Sequence, residues 1–150
     1  MSSASVEVRP SEPAPNQQPE PGAPDNWRRF FSFSTDHKVI GIQYIVTAFI
    51  FFLFGGLLAM VMRGELITPE ADLVNRTVYN GLFTMHGTIM LFMWTFPMLN
   101  GLANYLVPLQ IGARDMAFPK LNAIAFWLVP VFGVILTASF FVPGGPSQSG

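Results

Sequence analysis

The chain has 150 residues, of which 51% are hydrophobic and 11% are charged, and its formal net charge is −1. This near-neutral charge argues against a nucleic-acid partner. Because the sequence contains no cysteine, disulfides, thiolate metal ligands and cysteine nucleophiles are excluded. The mean hydropathy of +0.42 indicates a protein whose surroundings are largely apolar.

The first 26 residues differ in composition from the rest of the chain. They are rich in Pro, Ser, Glu and Gln, and they carry too little apolar surface to offset the entropy of ordering, so residues 1–26 are predicted to form a disordered tail. Residues 27–38, "WRRFFSFSTDHK", mix aromatic rings with basic side chains. That mixture is typical of the membrane–water interface and predicts an interfacial segment before the first crossing.

Three stretches without a charged residue follow, at residues 39–62, at residues 77–113 and from residue 121 onward. Each exceeds the roughly 18–20 apolar residues that a membrane-crossing helix needs. We therefore predict an all-α integral membrane fold, with three transmembrane helices that belong to a larger helical bundle. The predicted helices span 39–62, 77–107 and 121–142, and the predicted loops span 63–76, 108–120 and 143–150.

The basic residues of the short loops predict the orientation. Segment 27–38 has three basic residues against one acidic residue, and loop 108–120 has two against one, whereas loop 63–76 has more acidic than basic residues. Since cytoplasmic loops carry the excess of Lys and Arg, the N-terminus and loop 108–120 are expected on the cytoplasmic side. Loops 63–76 and 143–150 are then external.

His86 is the one histidine inside the second predicted helix, in "LFTMHGTIMLFMW" at residues 82–94. It lies about 14 Å along the helix from Thr77, in the outer half of the bilayer. A polar side chain that faces hydrocarbon is costly, so His86 is expected to face other helices, either as a packed neutral histidine or as a ligand or proton relay. Gly81 and Gly87 beside it leave room for a second helix or for a flat cofactor.

Several stretches together carry a family resemblance: "STDHKVIGIQY", "LVNRTVYNGLFTMHGTIMLFMW", "GLANYLVPLQIGARDMAFPKLNAIAFW" and "SQSG". They resemble the N-terminal part of subunit I of the haem-copper terminal oxidases, the cytochrome c oxidase family. The resemblance covers about residues 27–150, and its most specific piece is "NYLVPLQIGARDMAFPKLN".

The resemblance implies three roles at the outer side. His86 is expected to be one of two axial ligands of a low-spin haem, of the haem a type, with the second ligand on a later helix. Arg63 is expected to hydrogen-bond a substituent of that haem, although its position alone favours an arginine that reaches the lipid headgroups. Glu65 matches a carboxylate that in some members helps to bind calcium or sodium.

A second group of polar residues is expected at the cytoplasmic side. On position alone it consists of a solvated loop carboxylate and helix caps, but the resemblance implies the entrance of a proton-uptake pathway, in which the carboxylate collects protons and the other side chains order water. Its members are Asp115, Asn104, Asn122 and Tyr44. The sequence departs from the pattern at Ala123 and Ala125 of "LNAIAFW", where many members carry asparagine and serine.

His37 is expected to be exposed at the cytoplasmic interface, as a helix cap or a headgroup contact, and too far from His86 to share its iron. The family's oxygen-reducing centre needs a high-spin haem ligand, three copper-binding histidines and a tyrosine. A chain with two histidines has no candidates for that set, so no catalytic residue is expected in it. We expect either a fragment of a longer subunit or one piece of a split subunit.

The function implied by the resemblance is that of the N-terminal portion of the catalytic subunit of a proton-translocating respiratory oxidase, in a bacterial cytoplasmic or other energy-transducing membrane. The full subunit would also hold a high-spin haem and copper, and its partners would be subunits II and III, membrane lipid and a cytochrome c or quinol donor. The alternative is a non-catalytic truncated paralogue or assembly protein of three helices that binds no haem. A channel or transporter ranks third, because the polar residues form no continuous path.

Overall fold

The computed structural model describes residues 28–67, 69 and 73–147, with Arg29 described by its backbone alone. The predicted tail, residues 1–26, lies outside the described residues. Within them every regular element is helical: α1 is His37–Glu65, α2 is Arg76–Thr88, α3 is Phe96–Gln110 and α4 is Pro119–Ala138. A π-helical stretch, Ile89–Thr95, joins α2 to α3, and short 3-10 turns lie at Arg28–Phe31 and Ser139–Phe141.

Three spans are long and apolar enough to cross a membrane: His37–Glu65, Arg76–Gln110 and Pro119–Phe141. The second span is α2, the π-helical stretch and α3 taken together. These spans confirm the predicted all-helical fold with three membrane-length helices. Each of them has most of its surface exposed to its surroundings, as helices of a membrane bundle do where they meet lipid or further helices.

Side-chain caps define where two of the helices begin. The Asp36 carboxylate accepts a hydrogen bond from the backbone N–H of Lys38 at 2.9 Å, which starts α1. The side-chain oxygen of Asn75 likewise accepts from the backbone N–H of Val78 at 2.8 Å, which starts α2. Both residues supply acceptors for helix N–H groups that have no partner within the helix.

The π-helical stretch ends at Thr95, two residues before Pro97. Proline has no N–H, and its ring collides with the carbonyl of the residue four positions earlier in an α-helix. The wider π turn relieves that collision, and Thr95 stabilises it by donating its hydroxyl hydrogen to the carbonyl of Met90 at 2.9 Å. The extra residue in a π turn rotates the residues of α3 by about 100° about the helix axis, compared with a continuous α-helix.

α1 packs most extensively on α3, through two glycines that face each other. A Cβ on Gly41 would lie 3.0 Å from the carbonyl oxygen of Gly101, and one on Gly101 would lie 2.9 Å from the carbonyl oxygen of Gly41. Small residues at such a crossing let two backbones approach closely. The contact fixes the lateral positions of the side chains one turn away on either helix.

Two apolar clusters fill the interior at opposite ends of the bundle. The cluster at the end that carries Glu65, the Glu65 end, consists of Leu58, Met62, Leu82, Met85, Ile89 and Met93. The cluster at the end that carries Asp115, the Asp115 end, consists of Ile40, Tyr44, Ala123 and Phe126. Each cluster joins α1 to other helices, so α1 is the central element against which the candidate sites are built.

Candidate functional site

His86 lies in the last turn of α2, partly buried, and its ring contacts the neighbouring helix α1. Its Nδ1 atom is 2.9 Å from the backbone carbonyl oxygen of Gly55. A carbonyl can only accept, so the hydrogen bond requires a proton on Nδ1, and the lone pair of the neutral ring is then on Nε2. Histidines that bind metals are held in this way, with one nitrogen bonded to a carbonyl and the other left for the metal.

Glycines around His86 are of two kinds. A Cβ on Gly55 would lie 2.8 Å from the Met90 sulfur, so this glycine permits the close approach of α1 and the π-helical stretch. Gly56 and Gly87, each next to one partner of the His86–Gly55 hydrogen bond, would have nothing within 4 Å of an added Cβ. Among the described residues, none places an atom in the space directly beside either of these two glycines.

Gly81, the other glycine noted beside His86, has a different role. A Cβ on it would lie 3.1 Å from Cγ of Pro146, so this glycine admits the segment that follows α4. The structure therefore brings a neighbouring part of the chain, and not a cofactor-sized opening, to Gly81. Of the two glycines, only Gly87 borders open space.

Arg63 lies in the last turn of α1, with its side chain exposed. Seven residues separate it from Gly56, which places both on the same face of the helix, about 10 Å apart along the axis. The positive guanidinium is favourable near the negative C-terminal end of the helix. Arg63 therefore lies two helical turns beyond Gly56, toward the C-terminal end of α1.

Glu65 ends α1 and closes the loop that follows. Its Oε2 atom accepts hydrogen bonds from the backbone N–H groups of Leu73 at 2.8 Å and Val74 at 3.1 Å. Among residues 28–67, 69 and 73–147, no three His, Asp or Glu side chains group in a way that could hold a metal ion. What the structure describes of Glu65 is thus a carboxylate that fixes the loop backbone.

Two asparagines from different spans meet at the Asp115 end. Nδ2 of Asn104, in α3, donates to Oδ1 of Asn122, in the first turn of α4, at 3.1 Å. Asn104 is 7% exposed, so its amide is largely removed from solvent, where an unpaired polar group would be costly. On the other side of the pair, Nδ2 of Asn122 donates to the sulfur of Met116 at 3.4 Å.

Asp115 and Asn104 line the same cavity, of about 280 Å³, between the end of α3 and the loop that follows it. Since a water molecule takes up about 30 Å³ in the liquid, the cavity has room for several. The Asp115 carboxylate also accepts from the backbone N–H of Met116 at 2.8 Å. Asp115 and Asn104, two of the residues singled out from the sequence, thus line one cavity that is large enough to hold water.

His37 is also part of this region, and the prediction that it is exposed is wrong. It is 4% exposed, and its Nδ1 lies 3.7 Å from a carboxylate oxygen of Asp115 and 3.9 Å from one of Asp36. The loop after α3 folds back over the start of α1 and covers the ring. Among the described residues, Nε2 of His37 is buried without a hydrogen-bond partner. The cap of α1 is Asp36, not His37.

Tyr44 lies in the same end of the bundle but contacts different groups. Its ring packs edge-on against Phe126, with 5.1 Å between ring centroids, and none of the hydrogen bonds described within the bundle joins it to the asparagine pair. Its Cβ is next to Gly101, about one helical turn before Asn104. Ala123 is buried beside Tyr44 in the same cluster, whereas Ala125 is exposed.

Two of these features were not anticipated from the sequence. Met116 gives no signal, because its contact with Asn122 depends on how the loop folds. The burial of His37 had one available signal in the sequence, two acidic residues that a histidine could contact. They are Asp36, just before α1, and Asp115, in the loop after α3.

Comparison with known proteins identifies the family. Residues 39–150 match the family model described as "Cytochrome C and Quinol oxidase polypeptide I". The chain is 56% identical over 119 residues to cytochrome c oxidase subunit 1 of Thermostichus vulcanus, a match covering 79% of this chain and 22% of that protein. It is 56% identical over 124 residues to the same subunit of Synechocystis sp., covering 83% of this chain and 22% of the relative.

A third relative extends the match toward the N-terminus. Cytochrome c oxidase subunit 1 of Corynebacterium efficiens is 46% identical over 143 residues, which covers 95% of this chain and 24% of that protein. The chain thus spans about a quarter of the length of the curated relatives it matches. The chain belongs to the cytochrome c and quinol oxidase polypeptide I family.

Proposed function

We propose that the chain forms the N-terminal part of subunit I of a haem-copper terminal oxidase, and that His86 is an axial ligand of its low-spin haem, of the haem a type. The observation that carries this proposal is the 2.9 Å contact between Nδ1 of His86 and the Gly55 carbonyl. It commits one ring nitrogen to the protein and leaves Nε2 as the ligand atom. A haem bound there supplies a site that accepts and donates single electrons.

The surface beside His86 supports a flat ligand. Gly56 and Gly87, each next in sequence to one partner of the hydrogen bond, border open space, and Arg63 lies two turns from Gly56 on the same face of α1. A guanidinium presents several N–H groups in one plane and stays charged, so Arg63 is suited to donate to a substituent at the edge of the haem. In this proposal the Gly55 carbonyl orients the imidazole of His86, and Arg63 recognises the edge of the haem.

The Asp115 end supports a role in proton uptake. The cavity shared by Asp115 and Asn104 has room for a short chain of waters, and carboxylate and amide groups can orient such waters. In the proposal Asp115 collects protons from the cytoplasm, the pair of Asn104 and Asn122 orders the water above it, and Tyr44 borders the next turn. His37, 3.7 Å from Asp115, adds an imidazole to this entrance.

The remaining parts of the proposed function rest on family membership. The rest of the subunit would supply the second axial ligand, a high-spin haem and copper, and subunits II and III would complete the complex. The electron donor is a cytochrome c or a quinol, and the N-terminus faces the cytoplasm of a bacterial or other energy-transducing membrane. Glu65, whose Oε2 is bonded to the loop backbone, would offer its other oxygen to calcium or sodium.

The ligand assignment is tested with His86→Ala in the full-length subunit, purified as the assembled oxidase. Reduced-minus-oxidised spectra are expected to lose the low-spin haem band, because the other histidine of this chain, His37, lies at the opposite end of α1. His37→Ala is the matched control, since it removes the other histidine of the chain, and it should retain the band. A bis-imidazole haem band that survives His86→Ala would overturn the assignment.

The proton-uptake assignment is tested separately, with Asp115→Asn in the same complex. Uptake of protons from the cytoplasmic side of reconstituted vesicles, followed with a pH-sensitive dye, is expected to fall at least tenfold while the haem spectrum stays native. Asp36→Asn is the control, because it removes a nearby carboxylate that does not line the cavity. Native uptake by the Asp115→Asn oxidase would contradict the assignment.

A further inference from the structure

Met116 connects the loop after α3 to the asparagine pair. Its backbone N–H donates to the Asp115 carboxylate at 2.8 Å, and its sulfur accepts from Nδ2 of Asn122 at 3.4 Å. Its side chain also lines the cavity that Asp115 and Asn104 share. One residue therefore contacts the loop carboxylate through its backbone and the helix amide through its side chain.

The thioether determines which way the Asn122 amide points. A thioether sulfur accepts hydrogen bonds and cannot donate them, whereas the two ends of an asparagine amide differ only in donating or accepting. The end of Asn122 that faces Met116 must then be the NH2 group. Its carbonyl oxygen is directed to Asn104, which meets it with its own NH2 group at 3.1 Å.

This orientation passes on to Asn104. Because the NH2 group of Asn104 donates one of its two hydrogens to Asn122, the end of Asn104 that has no partner in this pair is its carbonyl oxygen, an acceptor. Waters that enter from Asp115 would donate toward Asn104, which gives the water chain one direction. Without an acceptor at residue 116, the two amides could flip together and keep their mutual hydrogen bond, so that either end would face the cavity.

We propose that Met116 is a positioning residue for proton uptake, which sets the polarity of the Asn104–Asn122 pair by accepting a hydrogen bond at its sulfur. This inference rests on the proposed proton-uptake function of the same end of the bundle. It adds a residue that neither transfers a proton nor carries a charge. Its effect comes from the one property of a thioether that an isosteric hydrocarbon side chain lacks, the ability to accept a hydrogen bond.

The experiment compares three variants in the assembled oxidase, reconstituted in vesicles with a pH-sensitive dye on the cytoplasmic side. Met116→Leu keeps the size of the side chain and removes the acceptor, and it is expected to slow proton uptake about fivefold, the effect of one neutral hydrogen bond. Met116→Gln restores an acceptor of similar reach and should recover at least half of the native rate. Met98→Leu is the control, since Met98 is partly buried like Met116 and lies in α3 before Asn104. It should leave uptake unchanged.

The outcomes separate this inference from the function on which it rests. Native uptake in Met116→Leu, or equal slowing in Met116→Leu and Met116→Gln, would overturn the positioning role, because packing and not the acceptor would then matter. If Asp115→Asn abolishes uptake in the same preparation, the proposed pathway stands even when the positioning role fails. If Asp115→Asn takes up protons at the native rate, the pathway itself is wrong, and the role of Met116 falls with it. The low-spin haem spectrum, checked in every variant, shows that the complex has assembled.

Discussion

The imidazole of His86 and the backbone carbonyl of Gly55 form a 2.9 Å hydrogen bond that joins α2 to α1. Its acceptor is a main-chain atom, which no side-chain substitution removes. The ring orientation is therefore set by how closely the two helices approach, and that approach depends on Gly55 having no Cβ. The packing of the two helices thus sets the orientation of the His86 ring.

Filling the open space at Gly56 should weaken haem binding without disturbing His86. Gly56→Leu places a branched side chain where the native residue has nothing within 4 Å. A haem would then have to displace it, at the cost of about 1–3 kcal/mol that overpacking typically carries, and retention should weaken about tenfold or more. Haem content per subunit, measured by pyridine haemochrome, checks this.

The control for that variant is Ala138→Leu, which adds a similar side chain at an exposed position of α4. It should retain the native haem content. If Gly56→Leu also retains it, the open surface beside His86 is not where the haem lies.

The crossing of α1 and α3 should be intolerant of even one methyl group. Gly101→Ala would bring a Cβ within 2.9 Å of the Gly41 carbonyl oxygen, which is backbone and cannot rotate away. Strain or separation of the helices is expected to cost about 1–3 kcal/mol, visible as a lower midpoint of thermal unfolding for the purified full-length subunit. Gly64→Ala, whose Cβ would meet only the flexible end of Leu73, should unfold near the native temperature.

The helical spans could be predicted from the sequence because hydropathy is a local property. Charge-free runs identify membrane-length helices wherever their neighbours lie. The π-helical stretch is also local in origin, and Pro97 was its available signal, since a proline inside a helix requires the preceding turn to adjust. A continuous helix was predicted there because hydropathy does not register hydrogen-bond spacing.

The contacts within the sites could not be predicted in the same way, because they join residues far apart in the chain. His37 reads as an interfacial histidine from its neighbours, and only the fold of the loop after α3 shows that Asp115 covers it. Glu65 is expected from the sequence only as a carboxylate that could help to bind calcium or sodium, and the two backbone N–H groups that the following loop places on it depend on tertiary structure. Family resemblance supplies hypotheses about which residues act at these positions, whereas their hydrogen-bond partners depend on tertiary structure.

Removing the Glu65 carboxylate should loosen the loop that follows α1. Glu65→Ala deletes the acceptor of the Leu73 and Val74 amides, and charged acceptors strengthen such bonds. These two amides should exchange with deuterium about tenfold faster, the effect of losing roughly 1.5 kcal/mol of local stability. Glu65→Gln keeps a neutral acceptor and should give an intermediate rate. Equal protection in all three proteins would mean that the loop is fixed by other contacts.

Replacing His37 should separate its contribution to stability from its contribution to function. The buried Nε2 of His37 has no partner among the described residues, and a buried polar atom in that state costs about 1–3 kcal/mol. His37→Leu removes that cost and fills much of the same volume, so the thermal midpoint of the assembled oxidase should stay at or above the native value. Proton uptake should nevertheless slow severalfold, because the imidazole 3.7 Å from Asp115 is lost.

His37→Gln is the informative companion, since it keeps hydrogen-bonding atoms near Asp115 but cannot gain and lose a proton in the accessible pH range. If His37 helps uptake by exchanging protons with Asp115, His37→Gln should be as slow as His37→Leu. If it acts only by holding Asp115 in place as a polar neighbour, His37→Gln should approach the native rate. A native uptake rate in both variants would show that the buried imidazole belongs to the packing of the loop against α1 and not to the proton entrance.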